Sequence, residues 1–318
     1  MLPVYKINLP TPYPVGPVNV YLIKSKPCTL IDTGPDLPAS RRALEEALAS
    51  CRVALQDIER IIITHCHPDH CGLAGAIREA AGAQIFVNGV EAGRLTGERD
   101  YFKEIFPSLV KAGVPPGLIQ ELAVYMRARQ YRQVPKSGIL PLADREVLTF
   151  EDGELVVQNF PGHSQGHICL YDPQSRNFFS GDFLLPHITP NPLMEVSPET
   201  GRRLPAKKMY LDGLAHLLEM DIAEIWPGHG ENIVNWQVTV DEVFRHHSDR
   251  NDTVYRLLGE RGRTAYEIAV ALFPRIGGFD VVLGVSEALA ALDILLEDGR
   301  AKAEEEKGVL LYFKADGN

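Results

Sequence analysis

Between residues 64 and 72 the chain reads Thr64-His65-Cys66-His67-Pro68-Asp69-His70-Cys71-Gly72. Three imidazoles and one carboxylate fall within six positions, directly after the apolar run Ile61-Ile62-Ile63. His65 and His67, two apart on a loop, can point into one site. Asp69 and His70, beyond Pro68, can point into a second site beside it. Imidazole and carboxylate together suit zinc, iron or manganese. One metal takes three or four protein ligands, and two take about seven when one is shared. Three more candidates complete that number, each just past an apolar run: His163 in Phe160-Pro161-Gly162-His163, Asp182 in Phe179-Ser180-Gly181-Asp182, and His229 in Trp226-Pro227-Gly228-His229. The glycine before each candidate lets backbone approach the metals closely. Asp32, in Ile31-Asp32-Thr33-Gly34, is expected to orient the histidine loop from behind. Cys66 and Cys71 read as small buried hydrophobes.

The elements that must position these residues alternate. Val18–Ile23 and Thr29–Ile31 read as strands, Ser40–Ala49 as a helix, Arg60–Thr64 as a buried strand, Ala74–Ala81 as a helix and Ala83–Asn88 as a strand. That order implies a layered α/β architecture. Residues 93 to about 140 differ. Phe102, Ile105, Phe106 and Leu109 make one apolar helix face, and Ile119, Leu122, Ala123 and Met126 make another. Pro115-Pro116 must separate them, so a helical hairpin is inserted between two α/β halves. Strands resume at Val147–Phe150, Leu155–Phe160, Ile168–Tyr171, Phe178-Phe179 and Ile222–Ile225. The expected domains are a catalytic unit over 1–240 and a smaller one over 241–318. In the second, a helix over about 241–258 is followed by a capping box, Thr264-Ala265-Tyr266-Glu267. A third helix carries Val285, Leu289, Leu292 and Leu296 and ends at Gly299, before a hairpin of Ala301–Ala303 and Val309–Phe313. Three helices and a small hairpin have the layout of a winged helix.

Composition narrows the function. The chain has 318 residues, 45% apolar and 23% charged, with a net charge of −10. Disordered and collagenous classes are excluded. No run of about 18 apolar residues suggests a membrane span, and no secretory signal is visible. The acidic balance disfavours a generic nucleic-acid or membrane-surface protein. Five cysteines without a CxxC argue against a disulfide framework and for a reducing cytoplasm. Residues 241–318 hold ten Lys/Arg and fifteen Asp/Glu, with Glu304-Glu305-Glu306 in the expected wing. Duplex DNA is therefore not expected there, and the segment reads as packing on the catalytic unit or forming a homodimer contact.

The histidine motif, followed in order by His163, Asp182 and His229, closely resembles the metallo-β-lactamase superfamily, with Asp32 matching its first motif. The resemblance covers about residues 1–240. It implies an αβ/βα sandwich of two mixed sheets with two divalent metals at one edge, zinc first, with iron or manganese open. It implies His65, His67 and His163 on one metal, Asp69, His70 and His229 on the other, and Asp182 bridging. The C-terminal layout and the stretch 181–190 look like the subgroup containing the mitochondrial β-lactamase-like protein 2, an endoribonuclease. Three departures bear on chemistry. Asp182 stands where the commonest zinc β-lactamases carry cysteine, which disfavours antibiotic hydrolysis. His67 stands where the diiron flavoprotein oxidases carry glutamate, which disfavours redox chemistry. Glyoxalase II shares the seven ligands, but its C-terminal region is not similar to this one.

A dinuclear site of this kind implies hydrolysis by an activated water. Asp69 is suited to orient that water, and His187, five residues after Asp182, is the nominated proton donor to the leaving group. Two basic clusters are expected at the mouth: Arg127, Arg129, Arg132 and Lys136, and Arg202, Arg203, Lys207 and Lys208. They suggest an anionic substrate, either a small thioester or ester or a single-stranded RNA with Tyr131 to stack on. A non-enzymic metal-binding or regulatory role is the alternative of a different class.

Overall fold

The computed structural model describes residues 1–127 and 132–315. Six strands form the first sheet, lying side by side in chain order: β1 (Val4–Leu9), β2 (Val18–Ile23), β3 (Thr29–Ile31), β4 (Arg60–Ile63), β5 (Gln84–Asn88) and β6 (Ile139–Leu142). β1 to β3 pair antiparallel, and β3 to β6 pair parallel. The parallel crossovers carry α1 (Pro38–Ser50), then α2 (Pro68–Cys71) and α3 (Ala74–Ala81), then α4 (Gly89–Leu95), α5 (Tyr101–Lys111) and α6 (Pro116–Arg127). The second sheet contains β7 (Val147–Phe150), β8 (Gly153–Asn159), β9 (Ile168–Asp172), β10 (Asn177–Gly181) and β11 (Glu224–Pro227), in the order β11-β10-β9-β8-β7. Between β10 and β11 runs α7 (Ala206–Leu217). The chain ends with α8 (Trp236–Leu257), α9 (Ala265–Leu272), α10 (Asp280–Glu297) and the antiparallel hairpin β12 (Ala301–Glu306) and β13 (Val309–Lys314).

Side-chain alternation explains the layers. In β4, Ile61 and Ile63 face α1 and α3, while Ile62 faces the other sheet. All three are fully buried, which is why this strand reads as an unbroken apolar run. Tyr21, Ile23, Ile31 and Ile62 from one sheet meet Leu155, Val157, Ile168, Leu170 and Phe179 from the other. Burying each such side chain contributes roughly 1.5–3 kcal/mol. The outer face of the second sheet is covered by Tyr210, Leu214 and Leu217 of α7 and by Trp236, Val240 and Val243 of α8. This is the expected α/β sandwich of two mixed sheets with helices outside.

The structure differs from the sequence pattern in three places. The first strand, β1, is absent from the sequence pattern described above. The inserted segment does not run helical to residue 140, because Ile139–Leu142 is an edge strand of the first sheet, where Pro141 is tolerated. Phe106 turns away from the α5 face predicted for it and is 45% exposed, whereas Ile105 and Leu109 are buried.

The insertion and the C-terminal region share one core. Ile105, Leu109, Ile119 and Leu122 pack with Val254, Ile268, Val285, Leu289 and Leu292. α8 crosses the boundary expected at residue 240, with its first half on the second sheet and Val254 in this shared core. The Thr264–Glu267 capping box forms, with Glu267 N–H donating to Thr264 Oγ1 at 3.0 Å and Thr264 N–H to Glu267 Oε2 at 2.9 Å. Among the described residues, no helix is long and apolar enough to cross a membrane.

Lys207 sits in the first turn of α7 and is 1% exposed. Its amine donates to Asn251 Oδ1 at 2.6 Å and His247 O at 3.3 Å, both on α8. Burial pulls its pKa down to about 8, against about 10.4 for a free lysine. Charging this amine therefore opposes folding below pH 8, and the opposition fades as the unfolded chain also loses its proton near pH 10. Urea unfolding should show stability rising over that interval in the parent and rising less in Lys207→Met. Parallel pH profiles would mean that Lys207 is solvated.

Candidate metal centre

Seven side chains meet where the two sheets adjoin. His65 follows the end of β4, and His67 occupies the N-cap position of α2, with Pro68 at the first helical position. Asp69 and His70 fall in that short helix. His163 lies on the β8–β9 loop, Asp182 directly after β10 and His229 just past β11. Two contacts bring the sheets together here. Ile168 N–H donates to Thr64 O at 2.9 Å, and Asn19 N–H donates to Gly228 O at 2.7 Å. Asn19 also uses its side chain on Pro227 O and Gly230 O, at 2.7 and 2.9 Å.

The histidine tautomers are set from behind. His70 Nδ1 donates to Asp32 Oδ2 at 2.8 Å, His229 Nδ1 to Pro17 O at 2.8 Å, and His163 Nδ1 to Asn191 O at 3.2 Å. Each therefore turns Nε2 towards the shared space. His67 offers Nδ1, which lies 2.8 Å from His65 Nε2 and 3.0 Å from His163 Nε2. The donor atoms form three groups, each within 4.8 Å: His65, His67, His163; His65, His70, Asp182; and Asp69, His70, His229. Asp182 lies near His70, His163 and His229. Its Oδ1 lies 3.2 Å from His70 Nε2, and its Oδ2 lies 3.7 Å from both His163 and His229.

These residues fit divalent cations. His70 Nε2, Asp182 Oδ1 and His229 Nε2 are buried without a hydrogen-bond partner. Leaving such atoms unpaired costs about 1–3 kcal/mol each, which a bound cation would remove. Gly228 leaves room for the cluster, since a Cβ there would collide with Asp182 Oδ1. Burial lowers the pKa of His65, His67 and His163, which keeps them neutral with a lone pair available. Burial also opposes charge on His70 and His229, but the carboxylates around them outweigh it and raise both. For Asp69 and Asp182 burial pushes upwards, but the neighbouring His70 and His229 outweigh it and hold both below the usual carboxylate range.

Asp32 lies behind the cluster. Besides His70 it accepts Thr64 N–H at 2.8 Å and Thr64 Oγ1 at 2.8 Å. Cys66 and Cys71 are buried at 5% and 1% exposure. His187 is exposed on the loop after β10, beside Gly230 of the His229 loop. The sequence reading does not include His167. His167 is fully buried, its ring 5.0 Å from that of His65, and its Nε2 accepts Asp182 N–H at 3.2 Å. Its position four residues after His163, in a glycine-bounded turn, was the available signal.

Most cations of the basic clusters expected at the mouth have partners within the fold. Arg203 holds Asp293 through two bonds of 2.5 Å, Lys208 holds Glu297 at 2.9 Å, and Lys207 is buried against α8. Asp293 and Glu297 lie on α10, so these cations join the C-terminal helices to the sandwich. Arg202 and Lys208 are exposed, and of the four Arg202 is the one with no acidic partner among the described residues. In the other cluster Arg127 is exposed at the end of α6, Arg132 pairs with Glu79, and Lys136 pairs with Glu98 at 3.2 Å. Arg129 and Tyr131 lie outside the described residues.

Residues 13–229 match the family model of the metallo-beta-lactamase superfamily. The probable metallo-hydrolase YqjP of Bacillus subtilis is 31% identical over 98% of this chain and 97% of its own. The acyl-coenzyme A thioesterase MBLAC2 of Homo sapiens is 33% identical over 52% of this chain and 57% of its own. The crystal structure of the metallo-beta-lactamase family protein TTHA1429 from Thermus thermophilus superposes with a TM-score of 0.83 at 28% identity, covering 98% of both chains. The chain belongs to the metallo-β-lactamase superfamily and is a metal-dependent hydrolase.

The position of Asp182 between the two halves has a measurable consequence. Asp182→Ala should lose metal from both halves, because two adjacent cations would lack the charge between them. His229→Ala should release one equivalent. Metal analysis after gel filtration reads both outcomes, and two tightly held ions in Asp182→Ala would refute the shared position.

Proposed function

We propose that the chain is a dinuclear hydrolase of small acyl thioesters. The carrying observation is the convergence of seven donor side chains, with Asp182 within reach of both halves. His65, His67 and His163 would hold one ion, and Asp69, His70 and His229 the other. When bound, a pair of divalent ions supplies an activated water and positive charge for the developing oxyanion. Asp69, buried with Oδ2 3.4 Å from His229 Nε2, is suited to orient the attacking water. Asp32, Pro17 O and Asn191 O hold the imidazoles in one orientation, so little rearrangement accompanies the reaction.

The thioester class rests on the likeness to the thioesterase MBLAC2. The RNA alternative has lost most of its support, since Arg203, Lys207 and Lys208 are engaged within the fold. His187, at the rim beside the His229 loop, remains the proposed proton donor. Its contribution depends on the leaving group. A thiol with a pKa of about 8.5 departs readily as thiolate, whereas an alcohol needs a proton.

A turnover panel on the metal-loaded protein should contain acyl-coenzyme A, acyl-glutathione, the matching oxygen ester, a lactone, a bis-aryl phosphodiester and single-stranded RNA. The thioesters should turn over fastest, and Asp69→Ala should reduce turnover by about 10²-fold or more. His187→Ala should lower kcat more on the oxygen ester than on the matching thioester. RNA cleavage without thioester turnover, abolished by Asp69→Ala, would overturn the proposal.

A further inference from the structure

Behind the histidines lies a buried carboxylate for which the proposed reaction has no use. Glu91, on α4, is 1% exposed. Its Oε2 accepts Cys66 N–H at 3.3 Å, and its Oε1 accepts Gly166 N–H at 3.0 Å. Cys66 stands between His65 and His67, and Gly166 lies three residues beyond His163. One side chain therefore fastens the two loops that carry three imidazoles. Gly166 permits the approach, because a Cβ there would fall 2.7 Å from Glu91 Cγ. Behind Glu91 the charges alternate. Arg94 Nη1 lies 3.7 Å from it, and Arg94 grips Glu195 with bonds of 2.9 and 2.5 Å. Arg94 thus neutralises Glu91 without occupying the oxygens' contacts with the loops.

We propose that Glu91 is a positioning residue that fixes the distance between the His65–His67 loop and the His163 loop, and so governs one half of the metal centre selectively. The selectivity follows from what holds the other half. His70 is fixed by Asp32 and by Thr33 N–H on its carbonyl at 2.7 Å, and His229 by Pro17 O. Neither depends on Glu91. Only a carboxylate of this length fits the task. It offers two acceptors to two donors on separate loops, whereas glutamine turns an N–H₂ towards one N–H.

This inference rests on the ligand grouping proposed above, and cobalt(II) titration can test the two separately. In a His229→Ala background the remaining ion sits on His65, His67 and His163. There Glu91→Gln should weaken cobalt binding by about 10- to 100-fold and alter its visible spectrum. In a His163→Ala background the remaining ion sits on Asp69, His70 and His229, and Glu91→Gln should leave its affinity unchanged. Equal weakening in both backgrounds, or no change in either, would overturn the proposal. Loss of both ions from His229→Ala before Glu91 is altered would overturn the grouping and this inference with it. A measurement on the unaltered, metal-free chain guards against misfolded variants. The amides of Cys66 and Gly166 should exchange hydrogen slowly and together. Rapid exchange at Gly166 with protection at Cys66 would show that the carboxylate does not join the loops.

Discussion

Asp32 carries the arrangement on which the site depends. It is 2% exposed, at the turn after β3, with a positive φ of 59° that swings the chain back towards the histidine loop. Such a conformation costs a non-glycine residue on the order of 1 kcal/mol, and hydrogen bonds to a charged group outweigh that. Asp32 accepts from the Thr64 amide and hydroxyl at the end of β4 and from the His70 ring on α2. It thereby fixes the angle between a strand and the helix that follows it. Asp69 is carried by the same short helix and inherits this orientation.

Around that anchor the problem is electrostatic. Five imidazoles and two carboxylates share a small space, and all but the half-buried His67 are buried. Burial keeps three histidines neutral while the carboxylates attract protons to two others. A divalent cation resolves the conflict, since it satisfies lone pairs and negative charge together. The framework is built to tolerate the conflict meanwhile, with the outer nitrogens of His70, His163 and His229 tied to Asp32 or to a carbonyl.

The sandwich and the cluster were legible because both are written in local sequence. Ile61-Ile62-Ile63 announces a strand buried on both faces, and glycine before His163, Asp182 and His229 announces close backbone approach. What escaped depends on tertiary context. Val4 to Leu9 alternates polar and apolar residues with charged Lys6 among them, so β1 has a weak signature. Pro141 hid β6, because only an edge position makes proline acceptable there. The charge of Lys207 suggests solvent, but its side chain is buried. Yet Lys207, Tyr210, Leu214 and Leu217 lie along one helical stripe, and that spacing carried the warning. His167 has only its spacing from His163 to mark it and Glu91 has no local mark, because each acts on a segment distant in the chain.

The loop after Asp182 has a consequence for motion. Asn191, whose carbonyl holds His163, donates its side-chain amide to Leu283 O at 3.0 Å, and Met194 N–H donates to Ser286 Oγ at 3.0 Å. Both partners lie on α10, which shares its core with the inserted hairpin. This loop is therefore no independent flap. Widening the mouth on this side would require the loop to move together with α10 and the inserted hairpin packed on it. Such collective movements run on microsecond to millisecond timescales rather than the nanoseconds of a free loop. Opening on this side is in that sense a property of the helical layer, and its rate is set by a collective rearrangement rather than by the loop alone.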